Sequence, residues 1–207
     1  MKKFMKSGLM SLAVLGALAV TIPAAQAAPI VYNSSVGFCC FSVTLTDSTP
    51  NDVFVNVALT GGATEFANTG GGHIGFGFNL AGAAITSANI VGLTPVSPGW
   101  LPLNVGPFAT SGPDYGSFGY YFNIDTSGTS GNVTALQFTV HRATGIVPLD
   151  FTANASGYRF VADILNAQGT GMSAIPGTNT TVPEPISLSL VGGGLLALGL
   201  FRKRFTA

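Results

Sequence analysis

The sequence offers few residues for acid–base or metal chemistry. Only two histidines occur: His73 lies on the glycine face of a predicted strand, and His141 ends another. A zinc site needs about three or four clustered ligands at characteristic spacings, which this sequence does not contain. We therefore expect both histidines to be surface or turn residues, and we expect no metal and no cofactor.

Other catalytic patterns are missing as well. There is no Gly-x-Ser-x-Gly elbow for a serine nucleophile. The "GGGHIGFGF" segment lacks the Gly-Lys-Ser/Thr ending of a phosphate loop and runs into a strand rather than a helix. Asp125 and Asn132 of "DTSGTSGN" could bind calcium, but the acidic spacing of such a loop is absent and a hairpin turn is favoured. We predict that the protein is not an enzyme; a glycoside hydrolase with paired acids is a less favoured alternative.

One proline-rich segment, residues 94–116, carries the only tryptophan and shows no strand alternation. We predict a long loop, which is a frequent place for function. In the favoured interpretation it is a lid whose Trp100 and Phe108 close one end of the domain. In the alternative it binds carbohydrate, with aromatic rings as platforms for sugars and polar neighbours as hydrogen-bonding partners. The candidate ligand-binding residues are Trp100, Phe108, Tyr115, Asp114 and Asn104.

The only cysteines, Cys39 and Cys40, are adjacent. Strand parity places Cys39 inward with Phe41 and Cys40 outward with Ser42. Neighbouring cysteines can bond only through a strained ring, because disulfide geometry prefers a larger separation of their Cα atoms. Two interpretations stay open: one buried and one exposed thiol, or a vicinal disulfide. An intermolecular bridge through Cys40 is less favoured.

The elements that must position these residues are strands. The central part is rich in Gly, Thr, Ser, Asn, Val and Phe, a mixture that favours strands and turns over helices. Apolar and small or polar residues alternate, which is typical of half-buried antiparallel strands. With turn-rich segments between the strands, this pattern predicts an all-β domain, an antiparallel β-sandwich or jelly roll. The alternating segments lie at residues 41–46, 53–59, 74–79, 118–124, 136–140 and 158–164.

The N-terminus has the three parts of a secretory signal peptide. Three lysines precede the apolar run from residue 9 to residue 22, and Ala25 and Ala27 form a small-x-small cleavage site. We expect cleavage after residue 27, so that the mature chain starts near Ala28.

The C-terminus combines an extended peptide, an apolar span and a basic end. Pro183 and Pro185 flank Glu184, and each proline disfavours a helix at its own position and at the preceding one. Residues 186–201 carry no charge and predict a helix slightly short of a bilayer core of about 30 Å. The basic cluster that follows is expected on the cytoplasmic side; it consists of Arg202, Lys203 and Arg204.

These features together resemble the PEP-CTERM protein-sorting domain of Gram-negative bacteria. The resemblance rests on "VPEP" (Val182 to Pro185), on "GGGLLALGL" and on "RKR". It implies a precursor held transiently in the inner membrane, processing by exosortase near the Pro-Glu-Pro motif, and an association with exopolysaccharide. A permanent single-pass anchor is the alternative. The succession "FTV…LDFTANASGYRFVADI…G…GM" in the middle of the chain resembles small uncharacterised PEP-CTERM proteins, which implies no established activity.

The predicted organisation is therefore a signal peptide at 1–27, a β-sandwich at 28–181 and a sorting signal at 182–207. The middle domain has two arginines and no lysine against seven acidic residues, a net charge of about −5, so it cannot neutralise a run of phosphates. We expect no binding to nucleic acid. The leading functional hypothesis is an exported, non-enzymatic protein of the cell surface or extracellular matrix; the alternative is the carbohydrate-binding module described above.

Overall fold

The alternating segments form antiparallel sheets in the computed structural model, which describes residues 27–38, 40–70, 73–95, 99–110, 115–124 and 128–178. The prediction of an all-β, antiparallel domain is confirmed. The strands are β1 (Ile30–Asn33), β2 (Val36–Gly37), β3 (Phe41–Thr49), β4 (Asp52–Leu59), β5 (Ala63–Asn68), β6 (Phe76–Phe78), β7 (Ile90–Thr94), β8 (Asn104–Ala109), β9 (Ser117–Phe122), β10 (Gly128–Val133), β11 (Ala135–His141), β12 (Tyr158–Asn166) and β13 (Gly169–Pro176). Two short 3-10 turns lie at Ser87–Asn89 and Pro148–Asp150.

The first sheet has five strands in the order β1-β3-β4-β11-β7. Its register places Thr44 opposite Asn56 and Asn56 opposite Gln137, so these polar residues share one face. Val43, Val55 and their alternating neighbours are fully buried on the other face. This is the arrangement expected when every second residue of a strand faces a core.

The second sheet has eight strands and is built around β12. One edge of β12 pairs with β13, and its other edge pairs with β6 near its start and β5 near its end. The sheet continues from β13 to β2, from β5 to β10, and from β6 through β9 to β8. Five consecutive residues of β12 are buried, so this central strand is covered on both faces.

The main core contains buried side chains from both sheets and is dominated by aromatic rings. Phe76 stacks on Phe160 with ring centroids 5.9 Å apart, and Phe122 meets Phe138 edge-to-face at 4.9 Å. Such pairs contribute about 0.5–1.5 kcal/mol each beyond the area that they bury. This packing across two sheets is consistent with a β-sandwich.

A second, smaller cluster is separate from the main core. We call it the outer cluster; its buried members are Ile74, Tyr115, Phe118, Val161, Met172 and Ala174. Val161 belongs to this cluster, whereas its neighbours Phe160 and Ala162 belong to the main core. Because successive side chains of a strand point to opposite faces, the outer cluster covers the far side of the second sheet.

The sequence predicted one long loop for the proline-rich segment 94–116, but the structure differs. The segment contains the strand β8, which pairs with β9 in a register that shifts between Val105 and Phe108. Pro107 is tolerated because β8 lies at the edge of the sheet, where a proline need not donate a ladder hydrogen bond. The edge position therefore explains how a strand forms where prolines and missing alternation suggested none.

Among the described residues, no helix is both long and apolar enough to cross a membrane. The predicted signal peptide and the predicted helix at 186–201 lie outside the described residues.

Candidate functional site

The structure places Trp100 in the main core, not on a ligand-binding surface. Its side chain is only 4% exposed, and its Nε1 donates a hydrogen bond to the carbonyl oxygen of Ala135 at 3.0 Å. Its ring packs edge-to-face on Phe66 at 5.2 Å and on Phe122 at 6.3 Å. Trp100 is therefore a core residue that is not exposed as a platform for sugars, although the sequence made it a candidate ligand-binding residue.

Tyr115 is likewise buried, as part of the outer cluster. Its hydroxyl donates to the carbonyl oxygen of Met172 at 3.3 Å, and its ring meets Tyr158 at 5.1 Å. Burial raises the pKa of Tyr115, and repulsion from the Tyr158 phenol adds to the increase. Tyr115, a candidate ligand-binding residue in the sequence, is therefore not exposed at the surface.

The remaining members of the predicted binding set do not assemble with Trp100. Phe108 is half-buried against Tyr121, with ring centroids 4.9 Å apart. The amide of Asn104 contacts the carbonyl oxygen of Pro102 at 3.4 Å. Asp114 lies outside the described residues, as do Asp125 and the side chain of Asn132. The segment thus packs its rings into two clusters, close to the predicted role of a lid but without an aromatic platform.

Asp163, Thr69 and His73 form a polar cluster that brings a carboxylate, a hydroxyl and an imidazole together. Asp163 is fully buried on β12. Its Oδ2 accepts hydrogen bonds from the backbone N–H of Thr69 at 3.1 Å and from the Thr69 hydroxyl at 2.5 Å. Nδ1 of His73 lies 2.7 Å from the same hydroxyl and 3.2 Å from Oδ2.

These contacts determine which ring nitrogen of a neutral His73 carries the proton. The Thr69 hydroxyl has one proton, which it donates to Asp163. Its oxygen can therefore interact with Nδ1 only as an acceptor, so Nδ1 carries the proton and Nε2 keeps its lone pair. The side chain of His73 is 24% exposed. The cluster can thus present an oriented imidazole nitrogen as a base or as a single metal ligand.

Nothing else among the described residues completes this cluster as a catalytic or metal centre. The part of the chain that the structure describes contains no group of three or more His, Cys, Asp or Glu that could hold a metal ion. The other carboxylate oxygen of Asp163, Oδ1, is buried without a hydrogen-bond partner in the protein. The hydrogen bonds of the cluster connect the β5–β6 connection to the middle of β12.

Sequence reasoning missed this cluster. His73 was predicted to be a surface or turn residue; it does lie between two strands, but it is mostly buried and paired. The alternation of β12 placed Asp163 on the face opposite Phe160, as observed, and gave no sign that the outer cluster covers that face. A lone carboxylate within the apolar run "FVADIL" is the one signal that could have revealed it, because buried carboxylates need partners.

His141 lies at the end of β11, as predicted, and forms a surface pair. Its Nδ1 lies 2.7 Å from Oδ1 of Asp52, directly opposite in the register. The hydroxyl of Thr49 also donates to Asp52, at 2.5 Å. The hydrogen bond from Thr49, followed by that from His141, lowers the pKa of the Asp52 carboxyl.

Both arginines of the middle domain hold loops together. Arg142 donates from Nε to the carbonyl oxygen of Gly145 at 2.6 Å and from Nη1 to that of Ala81 at 2.7 Å, and it forms an ion pair with Asp150. Arg159 donates to the carbonyl oxygens of Phe151 and Gly177, and its guanidinium lies 4.9 Å from the centre of the Tyr32 ring.

Cys40 is half-buried just before β3 and is disulfide-bonded. This excludes the predicted alternative in which Cys40 is an exposed free thiol. Cys39, the only other cysteine of the sequence, lies outside the described residues.

The outward side of the five-stranded sheet carries two rows of uncharged side chains. One row runs across four strands as Thr44, Asn56, Gln137 and Thr94. The next runs as Thr46, Phe54, Thr139 and Val91. We call these eight residues the neutral face. Its polar groups lie in rows across neighbouring strands, an arrangement that suits an extended ligand.

Comparisons of the chain with protein-family models, with curated proteins and with solved structures found no match. The proposals below therefore rest on the residues and on their geometry.

Proposed function

We propose that the chain is an exported, non-enzymatic protein of the cell surface or extracellular matrix of a Gram-negative bacterium. The proposal joins the predicted signal peptide at 1–27, a sandwich or jelly-roll domain at 28–181 and the PEP-CTERM-like tail at 182–207. The helix at 186–201 holds the precursor in the inner membrane until exosortase cleaves near Pro183 to Pro185. The released domain then associates with exopolysaccharide.

The non-enzymatic part of the proposal is supported by the contacts of two carboxylates among the described residues. Asp150 is paired with Arg142, and Asp163 is enclosed by Thr69 and His73. Glycoside hydrolysis needs two carboxyl groups about 5–9.5 Å apart that both face the substrate. These two carboxylates instead hold loops and strands in place, so they support a structural role over a hydrolase.

A carbohydrate-binding role remains the second candidate, at a different place from the one predicted from sequence. Trp100 and Tyr115 are buried, so neither ring is exposed on the loop that the sequence favoured. The neutral face offers hydroxyl and amide groups together with the half-buried ring of Phe54. That combination of a few polar groups and one apolar ring is common where proteins bind sugars.

The export proposal is tested by intact-mass measurement on protein from the membrane fraction and from the medium of producing cells. We expect the mature form to start near Ala28 and to end between Val182 and Pro185. Replacing Pro183 and Pro185 by alanine should let the helix extend outward, hide the cleavage site and leave an uncut precursor in the membrane. Replacing Pro176, a proline in β13 outside the motif, is the control and should not prevent processing. A native protein that keeps Arg202 to Arg204 at steady state would contradict the proposal.

A further inference from the structure

We infer that the neutral face binds an uncharged polysaccharide whose chain lies across the strands; this inference rests on the proposed association with extracellular polymer. The geometry of the β-sheet determines the length and the spacing of the two rows. Neighbouring strands lie about 4.8 Å apart, so four strands present a row about 14 Å long. In β3, β4 and β11 the two rows are formed by alternate residues, which lie about 6.8 Å apart along a strand. In β7 the register is irregular, and the two rows end at Val91 and Thr94, three residues apart.

The polar groups of the face suit hydroxyl groups, which both donate and accept hydrogen bonds. Gln137 donates from Nε2 to Oδ1 of Asn56 at 3.1 Å, a contact that orients both amides. The second proton of the Gln137 amide, its Oε1 and the Nδ2 group of Asn56 remain to meet a ligand. Thr44 and Thr94 extend the same row with hydroxyl groups on both sides. A polyhydroxylated chain would therefore find donors and acceptors along the whole row.

The second row supplies apolar contact. Phe54 lies between Thr46 and Thr139 in the register, and its side chain is only partly buried. Val91 at the end of this row is 57% exposed. A sugar ring has an apolar C–H side as well as hydroxyl groups, so a ring over Phe54 could use both rows at once.

The charges of the neutral face and of the whole domain indicate which class of polymer can bind. None of the eight positions of the neutral face is charged, and the nearest acids of these strands, Asp47 and Asp52, lie at one end. The domain as a whole carries about −5, which disfavours an anionic polymer at long range. A cationic polymer would find no carboxylate within the rows. An uncharged, polyhydroxylated chain is the ligand that fits the uncharged rows, the negative charge of the domain and the absence of carboxylates within the rows.

The test uses the full chain, purified in detergent, in sedimentation assays with insoluble cellulose, cross-linked dextran and carboxymethyl cellulose. An open face of this size should bind weakly, with a Kd of about 0.1–1 mM. We expect binding to at least one of the two neutral polymers and at least fivefold weaker binding to the anionic one. The variant N56A/Q137A should bind at least fivefold more weakly than the native protein. Gln168→Ala, which truncates an exposed glutamine in the β12–β13 turn, is the matched control and should bind normally.

The outcomes separate this inference from the proposed function. Equal binding of native protein and N56A/Q137A to a neutral polymer, with both folded by circular dichroism, would overturn the inference while leaving polymer association intact. Preference for carboxymethyl cellulose would overturn it as well. If the native protein binds neither neutral polymer, the inference fails, whereas export and processing are still decided by the mass measurement.

Discussion

Replacing Thr69 by valine is the sharpest test of the buried cluster. The two side chains have nearly the same shape, so the change removes the hydroxyl group while leaving the packing almost unaltered. The lost hydroxyl donates to the carboxylate of Asp163 at 2.5 Å and contacts His73 Nδ1 at 2.7 Å. The backbone N–H of residue 69 still reaches Asp163 after the substitution.

The expected loss of stability follows from these contacts. A hydrogen bond to a charged group contributes about 1.5–3 kcal/mol, and Asp163 is fully buried, so water cannot replace the missing donor. We expect Thr69→Val to lower the free energy of unfolding by about 2 kcal/mol. For a domain of roughly 150 residues this corresponds to a decrease in Tm of about 4–8 °C.

The measurement is urea unfolding followed by the fluorescence of Trp100, the only tryptophan of the chain and a core residue. Thr46→Val on the outward side of β3 is the control, and it should change stability by less than about 0.5 kcal/mol. Nitrogen-15 spectra of the native protein should show the neutral His73 ring protonated at Nδ1. The reasoning is refuted if Thr69→Val is as stable as Thr46→Val, or if the neutral ring carries its proton on Nε2.

Two further predictions concern other parts of the domain. The lowered pKa of Asp52 means that this carboxylate contributes stability above its ordinary pKa of about 3.9, and that the contribution is lost as the pH falls through its lower native value. Thr49→Val should raise the pKa of Asp52 in a carboxyl NMR titration, and an unchanged value would contradict the assigned cause. Trp100→Ala should lower the free energy of unfolding by about 3–5 kcal/mol, measured by circular dichroism in urea, because it leaves a cavity in the core and removes the hydrogen bond to the Ala135 carbonyl oxygen. Trp100→Phe should cost less, and an alanine variant as stable as the native protein would disprove the core placement.

The sequence by itself determined the class of the fold and much of its core. In β4, the alternation of valines with polar or larger residues predicted which side chains would be buried, and Val53, Val55 and Val57 are fully buried. The same holds for Leu136, Phe138 and Val140 of β11. These predictions succeed because the two-residue period of a strand is a local property: once one face of a strand is buried, every second residue follows.

Only the tertiary structure determined the burial and the contacts of Trp100 and Asp163 and the composition of the neutral face. Trp100 is an ambiguous aromatic residue in the sequence, and its role is set by a carbonyl group 35 residues away, at Ala135. Asp163 receives its hydrogen bonds from Thr69, 94 residues earlier, which lies beside it only in the folded chain. The neutral face, too, exists only because β3, β4, β11 and β7 are neighbours in an order that differs from their order along the chain. The physical reason is common to all three cases: burial and hydrogen-bond partners depend on which distant segments meet, and a strand's local pattern carries no information about the identity of its neighbours.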